Sequence, residues 1–527
     1  MAQLRTYGPA GGRRGGPNLG KMTGLGSAYM RGSDAFAWHM ERDPALRSTV
    51  VVIMWLDRAP DWELLAARID RITRFMPSLR QRVVEPPLGL GPPRWSCDPH
   101  FDLNWHFRRV SAPPPGTRDA VVPLARRSAM GAFDRDRPLW ELTLVEGIEG
   151  GEAALLLKIH HSLSDGVGGM RLLALMCDLR RDSPGLAELP PEPPGDEPDL
   201  RAMVTGAVGV IAGRTAHLAR RGAGAAMPAL VRSVLDPVGE IRGATAMAGS
   251  IYRTAGPILD TMSPVMRERA MNRHLAVMEI SLEKLKGAAK AAGGTLNDVY
   301  MAAVTGGLRR YHERHGMPVE SLRVVMPISL RAEDDMGWGN KITLQRLTVP
   351  VGEPDPTARA RQLHHVTEVA RREPSLSVTD EIAGALTLLP AGYVGGVLKH
   401  IDFVASNVPG TPVPLFIAGS EITGFFAFGP TIGAALNITL VSYVGTCDIG
   451  VNIDTAAVPD PEALLDCLRE GFAEIAAMGG TGQDAADDRD AAEGQGAAEG
   501  LGAAEGLGAA EGLGAAEGRL PAGKRAK

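Results

Sequence analysis

The chain has 527 residues, 44% of them hydrophobic, which allows a large core and, by length, two or more domains. Its formal charge of −5 is uneven: from residue 481 onward nine acidic and five basic side chains give −4, leaving −1 on the first 480 residues. A body this close to neutral argues against nucleic acid as the main partner, because neutralising phosphates needs a basic excess.

Residues before about Ser27 are rich in Gly and Arg and are expected to be disordered, with Met22 or Met30 as alternative starts. No apolar stretch follows Arg13-Arg14, as a secretory leader would require. Ser33-Asp34-Ala35-Phe36 reads as a helix cap entering an apolar segment. Ser48 to Leu56 reads as a strand, and Asp61 to Met76 as a helix with Trp62, Leu65, Ile69, Ile72 and Phe75 on its apolar positions. Phe101 to Phe107 reads as a further strand, and Arg137-Pro138-Leu139-Trp140 leads into another, Glu141 to Val145.

Ala153 to Ile159 is an apolar run that reads as a buried strand, and it empties into His160-His161-Ser162-Leu163-Ser164-Asp165-Gly166. Helical spacing resumes at Leu172, Leu175, Met176 and Leu179, and Ser183-Pro184 ends it. The histidines thus stand where a strand becomes a loop ahead of a helix, a place where rigid elements hold chemical groups in position. Consecutive strand residues face opposite sides, so one imidazole looks into a given cavity and the other is structural. His161, nearer the loop, takes the working role, and His160 the supporting one. Asp165 is close enough to buttress the loop or fix a tautomer, and Gly166 permits a tight backbone path. Adjacent histidines with Asp five residues after the first fit neither Cys-rich zinc spacing nor His-Glu-x-x-His, so no metal is expected. Cys97, Cys177, Cys447 and Cys467 are scattered, the usage of a reduced, cytosolic protein.

Pro184 to Pro198 reads as a linker, and Met203 to Arg253 as an Ala- and Gly-rich stretch whose arginines outnumber Asp236 and Glu240. Val204, Val208, Ile211 and Leu218 share a helical face there, which suits an anionic lipid surface or packing between domains. The strand and helix alternation then restarts. Ala276 to Ile280 reads as a strand, Leu282 to Ala292 as a helix, and Thr295-Leu296-Asn297-Asp298 as the start of a helix reaching about His315. Leu322 to Pro327 and Val404 to Val408 read as strands. Ile422 to Cys447 carries no charge and is long enough to cross a bilayer, but Gly429-Pro430, Gly433 and Asn437 break it into two buried strands. A last helix spans Pro461 to Ala477. Ala-Ala-Glu-Gly then recurs five times from Ala491 at a six-residue period, a composition that cannot offset the entropy of folding.

From about Ser33 to about Ala477 the chain resembles the bacterial wax ester synthase/acyl-CoA:diacylglycerol acyltransferase family. The resemblance rests on Ser33-Asp34-Ala35-Phe36, Phe101-Asp102-Leu103, Arg137-Pro138-Leu139-Trp140-Glu141 and His160 to Gly166, in that order. It continues through Asn297-Asp298-Val299, Met326 to Arg331, Gly339-Asn340, Ser406 to Gly410 and Ser442 to Gly445. The His-His-x-x-x-Asp-Gly motif alone is shared with peptide-synthetase condensation domains; the Pro-Leu-Trp and Asn-Asp segments narrow it. Thr411 stands where the family commonly has Pro, and both chain ends lie outside the pattern.

The resemblance implies an α/β fold of two chloramphenicol-acetyltransferase-like halves with the active site at their interface. The halves would span 28–183 and 271–478, separated by a linker over 184–270 and flanked by disordered ends, 1–27 and 479–527. It implies an O-acyltransferase that uses acyl-CoA as co-substrate, with no permanently bound cofactor, and diacylglycerol or a long-chain alcohol as acceptor. The location it implies is cytoplasmic, in peripheral contact with the inner face of the plasma membrane or with lipid inclusions. His161 would be the general base and Asn297 a donor to the tetrahedral oxygen, with Asp298 and Trp140 structural beside the site. Asp165 is expected to pair with Arg331 of the second half. Two other readings stay open: a condensation-type enzyme acting on a non-lipid alcohol or amine, and a non-catalytic lipid-inclusion protein.

Overall fold

The computed structural model describes residues 28–86, 91–163, 166–182, 189–196, 258–329 and 342–480, with isolated positions between 205 and 256. Both chain ends, most of the 184–270 segment with its basic stretch, Gly339-Asn340, Asp165 and Arg331 lie outside the described residues.

The first half runs α1 (Gly32–Met40), β1 (Thr49–Leu56), α2 (Trp62–Phe75), β2 (Gln81–Val84), β3 (Arg94–Cys97), α3 (Leu103–His106), β4 (Phe107–Ser111), α4 (Arg118–Met130), β5 (Trp140–Glu146), β6 (Ala153–His160) and α5 (Gly166–Met176). The second runs β7 (Arg273–Ser281), α6 (Leu282–Ala292), α7 (Leu296–Arg314), β8 (Ser321–Ser329), β9 (Ile342–Pro350), α8 (Pro356–Arg371), α9 (Thr379–Leu386), α10 (Ala391–Leu398), β10 (Phe403–Val408), β11 (Phe416–Ile417), β12 (Ser420–Phe428), β13 (Leu436–Tyr443), β14 (Thr446–Asp454) and α11 (Pro461–Gly480). Each half is built on a six-stranded sheet, ordered β11-β12-β1-β6-β5-β4 in the first and β7-β14-β13-β10-β8-β9 in the second.

Local chemistry explains where elements depart from the pattern reading. The cap of α1 comes from far along the chain rather than from Ser33 or Asp34. The Asp380 carboxylate accepts the N–H groups of Gly32 at 3.1 Å and Ser33 at 3.0 Å, satisfying donors that a helix start leaves free. Only glycine fits at position 32, because a Cβ there would lie 2.1 Å from the Asp380 carbonyl oxygen. The strand expected over Phe101–Phe107 begins one turn later. Asp102 accepts the Asn104 N–H at 2.9 Å and starts the short helix α3, so β4 opens only at Phe107. Helix α5 stops at Met176, short of Leu179, because Asp178 leaves the helix to exchange both backbone hydrogen bonds with Phe416, at 2.7 and 2.9 Å. Leu179 is accordingly 61% exposed.

Strand alternation splits the first sheet into two apolar faces. Val52, Met54, Leu142, Leu155 and Ile159 pack beneath Leu65 and Ile69 of α2 and Leu172 and Met176 of α5. On the reverse face Val51, Ile53, Ala154 and Leu156 meet Val121 and Ala125 of α4 and Leu275 of β7. The second half has its own core, in which α7 packs against α6, α8 and α11. Arg359, fully buried there, donates to the Ala302 carbonyl at 2.9 Å and pairs with Glu474.

The halves are joined by a strand that changes sheet. β12 belongs to the second half by sequence yet pairs antiparallel with β1, from Val51↔Phe428 to Leu56↔Ile422. Two contacts hold it against the second sheet as it crosses. Asp448, 2% exposed on β14, accepts the Phe425 N–H at 2.6 Å. Gly450 presses so closely on β12 that a Cβ would sit 2.1 Å from the Ala427 carbonyl oxygen.

Burial, with the charge of Glu279 adding to it, outweighs the Phe425 N–H bond and pushes the Asp448 carboxyl up to about 7. Between the unfolded value near 3.8 and about 7 the folded chain holds a proton that the unfolded chain has released. Stability therefore falls as pH rises through that window and levels off above it. Asp448→Asn keeps an acceptor for Phe425 and removes the charge. Its thermal midpoint should exceed the parent's at pH 8 and match it near pH 4, the gain at pH 8 amounting to roughly 2–4 kcal/mol. Parallel midpoint-against-pH curves for the two proteins would overturn this.

Candidate functional site

The two histidines are set by the strands on either side of β6. Leu139, beside β5, accepts the His160 N–H at 3.0 Å, and Ser48, ahead of β1, accepts the His161 N–H at 2.9 Å. The backbone ladder thus reaches His161, one residue past the strand proper, and alternation assigns the two positions to opposite faces. His160 is fully buried. Its ring stands edge-on to Trp38 at 6.0 Å and Phe133 at 6.1 Å. Its Nδ1 lies 2.6 Å from Ser162 Oγ and accepts the Ser162 N–H at 3.2 Å, while its Nε2 lies 3.2 Å from the Glu41 carboxylate.

His161 is half-buried, in the turn that follows β6. The face of β6 that carries Leu157 and Ile159 holds a small apolar slot, with room for little more than a water molecule, lined among others by Ile69, Ile72, Leu142, Leu157, Ile159 and Met176. It is also where the halves meet: Val441 and Tyr443 of β13 and Leu415 enter the same apolar cluster. The Tyr443 hydroxyl accepts the Leu415 N–H and donates to the Ile422 carbonyl, both at 2.9 Å, fixing the approach to β12.

The conspicuous sequence segments of the first half converge on this strand end. Trp140, 3% exposed, donates from Nε1 to the Leu79 carbonyl at 2.7 Å and forms one wall of the slot. His106 stacks on it at 4.8 Å and donates from Nδ1 to the Trp140 carbonyl at 2.7 Å. Phe101 stacks on the other side of the His106 ring at 5.2 Å. Burial, partly opposed by the bond to Trp140, pushes the His106 pKa down, which suits a neutral ring clamped between two aromatics. Glu41 and His106 escaped the sequence reading, since neither belongs to a periodic pattern or a close cluster. An acid three residues before Pro44-Ala45-Leu46 offered no signal of its own.

In the second half, the first turn of α7 has Thr295 at its cap position, so Asn297 stands inside the helix, half-buried. Asp298 is fully committed to structure. It accepts from the Thr295 N–H at 2.7 Å and Oγ1 at 2.8 Å, from His364 Nδ1 at 2.8 Å and from Thr367 Oγ1 at 3.1 Å, tying α7 to α8. Gly166 opens α5. The expected Asp165–Arg331 pair lies outside the described residues.

The paired halves, one sheet carrying a histidine-bearing strand end at their junction, have the architecture of the chloramphenicol-acetyltransferase-like acyl-transferring folds. The wax ester synthase/diacylglycerol acyltransferase catalytic domain matches residues 30–300, and the C-terminal domain of the same family matches 338–476. A Mycobacterium tuberculosis H37Rv protein, named provisionally as a diacylglycerol O-acyltransferase, is 36% identical over 450 residues, covering 84% of this chain and 90% of its own. A second from the same strain, similarly named, is 28% identical and covers 85% of this chain and 97% of its own. Among solved structures, the wax ester synthase/diacylglycerol acyltransferase of Marinobacter aquaeolei VT8 superposes with a TM-score of 0.55 at 22% identity, over 86% of this chain and all of that one. The first condensation domain of the calcium-dependent antibiotic synthetase shares the fold with a TM-score of 0.56 at 15% identity, over 86% of this chain and 96% of its own. The chain belongs to the wax ester synthase/diacylglycerol acyltransferase family, and is an acyltransferase joining an acyl donor to a lipid acceptor.

Trp140→Phe keeps the aromatic wall but strands the buried Leu79 carbonyl. It should lower stability by about 1–3 kcal/mol, read as a drop in thermal midpoint. An unchanged midpoint would mean that the Nε1 bond contributes nothing.

Proposed function

We propose that the chain transfers a long-chain acyl group from acyl-CoA to diacylglycerol, with long-chain alcohols as the competing acceptors, and that His161 is the general base. The observation carrying this reading is the division of the two histidines. His160 is locked inside, whereas His161, in the turn that follows, is half-buried, and alternation along the strand would turn it toward the face of the apolar slot. A thioester is already activated, so the protein mainly has to deprotonate the alcohol and stabilise an oxyanion. A ring nitrogen of His161 takes the hydroxyl proton as the alcohol oxygen bonds to the thioester carbonyl carbon. The tetrahedral intermediate then expels CoA as thiolate, which recovers that proton, leaving ester and free CoA. Both substrates react in one ternary complex, with no acyl-enzyme and no resident cofactor.

Asn297 is the proposed donor to the tetrahedral oxygen, on its likeness to the family's Asn-Asp segment; with the cap position held by Thr295, it has no capping role to compete with that one. Asp165 and Arg331 are the proposed pair linking the histidine loop to the second half. A lipid acceptor also calls for contact with a membrane or lipid-inclusion surface, placed at the cytoplasmic side. No helix among the described residues is long and apolar enough to cross a membrane. The turn between α9 and α10 suits contact from one side, with Leu388 86% and Tyr393 58% exposed.

His161→Ala should lower CoA thiol release from palmitoyl-CoA plus diacylglycerol by about 10² to 10⁴. Near-parental turnover would remove His161 as the base. Hexadecanol, monoacylglycerol and an amine, assayed alongside diacylglycerol, test the acceptor: the highest kcat/KM is expected with diacylglycerol, and preference for the amine would favour a condensation-type reaction instead.

A further inference from the structure

The mechanism uses His161 but leaves a buried carboxylate beside its neighbour without a role. Glu41 follows α1, and its side chain is 9% exposed, packed against the fully buried ring of His160. One oxygen, Oε1, serves two partners. It accepts the Ser48 N–H at 2.5 Å and lies 3.2 Å from His160 Nε2. Each partner leads to His161 by a different route. His160 precedes it in the chain, and the Ser48 carbonyl accepts the His161 N–H at 2.9 Å.

The far side of the His160 ring defines its proton. Because Nδ1 accepts the Ser162 N–H, the neutral ring carries its hydrogen on Nε2, the nitrogen 3.2 Å from the carboxylate, in a close contact that is not aligned as a hydrogen bond. Trp38 and Phe133, edge-on at 6.0 and 6.1 Å, prevent the ring from turning away. Ser162, at the other end of this chain of contacts, is the residue immediately after His161. The base is therefore bracketed on both sides in sequence, and its own N–H is held by the third member, Ser48.

We propose that Glu41 is the positioning residue of the site, holding His161 in register by gripping the His160 ring and the Ser48 backbone together. The carboxylate keeps its charge at working pH. Burial alone would push it up, but the contact with His160, the Ser48 N–H and the charge of Arg47 outweigh burial and hold it below the usual carboxylate range. A fixed anion aligns both donors and cannot swap donor for acceptor, as an amide can. The inference rests on the reading of His161 as base, because it assigns Glu41 no contact with substrate.

Glu41→Gln, made in the full chain, preserves shape and removes the charge. With palmitoyl-CoA and diacylglycerol, kcat should fall about 10- to 100-fold, the scale of a misplaced catalytic group, while KM for both substrates stays within about twofold. Selective ¹⁵N labelling of histidine should show the His160 ring leaving its single Nε2–H form in the same variant, a change that a purely structural loss elsewhere would not produce. Should Glu41→Gln fail to fold, Ser162→Ala removes the Oγ contact on the other side of the ring while keeping the backbone N–H, and kcat should fall about 3- to 10-fold at unchanged KM. Parental kcat in whichever variant folds, or a loss carried by KM alone, would overturn the inference. His161→Ala is assayed in parallel: if it is inactive while Glu41→Gln is normal, the base stands and the positioning role falls. If His161→Ala is itself active, the base reading falls first.

Discussion

Everything at the junction depends on β12 changing sheets. It pairs with β1 from Ile422 to Phe428, and β1 in turn carries β6 on its other edge. The histidine strand is thus only one strand removed from a segment contributed by the second half. A merely packed pair of domains could slide; a shared ladder of backbone hydrogen bonds cannot slip by one residue without reversing every side chain between faces. Phe425 and Ala427 would then leave the slot side, and Phe426 and Phe428 the α4 side. Asp448 and Gly450 secure the same strand from the second sheet, so its register is fixed from both directions.

The end of β6 places the two histidines in different surroundings. At His160 the side chain enters a closed pocket of Trp38, Phe133, Ser162 and Glu41, where every contact restrains it. At the next position the backbone is held equally well, but the residue is half-buried in the turn beyond the strand. The Pro138-Leu139-Trp140 segment serves the same end. The Leu139 carbonyl takes the His160 N–H, while the Trp140 indole lines the slot and is braced by His106.

The elements nearest the site were legible because they obey a clear period. β1, α2, β6, α6, α7 and the final helix fall within a few residues of their expected limits, each bounded by a capping residue or a change of period. That the Trp140 segment leads into a strand and that His160 and His161 stand at the end of one was also legible, since an apolar run opening into a polar motif carries its own geometry. What escaped notice was tertiary. No local signal announces that Asp380 caps α1, that Asp178 pairs with Phe416, or that a strand from the second half joins the first sheet. The Ile422–Cys447 stretch read correctly as two buried strands, but alternation cannot say which sheet each will join. Glu41 was invisible for the same reason, because its partners are brought to it only by the pairing of β1 with β6.

The same path of the chain occurs in proteins named for different products, a wax ester synthase/diacylglycerol acyltransferase and a condensation domain, so the fold alone does not select the acceptor. What the fold does supply is a strand end held by backbone hydrogen bonds from both neighbouring strands, onto which different linings can be built. Here the lining behind the strand end is aliphatic and aromatic, with Thr73 as the polar exception, and that hydroxyl is turned back to donate to the Asp70 carbonyl at 2.8 Å. A polar substrate group entering this slot would lose its water and find no partner, whereas a hydrocarbon chain would lose nothing. The apolar character of this lining is therefore set by the packing of α2 against β5 and β6.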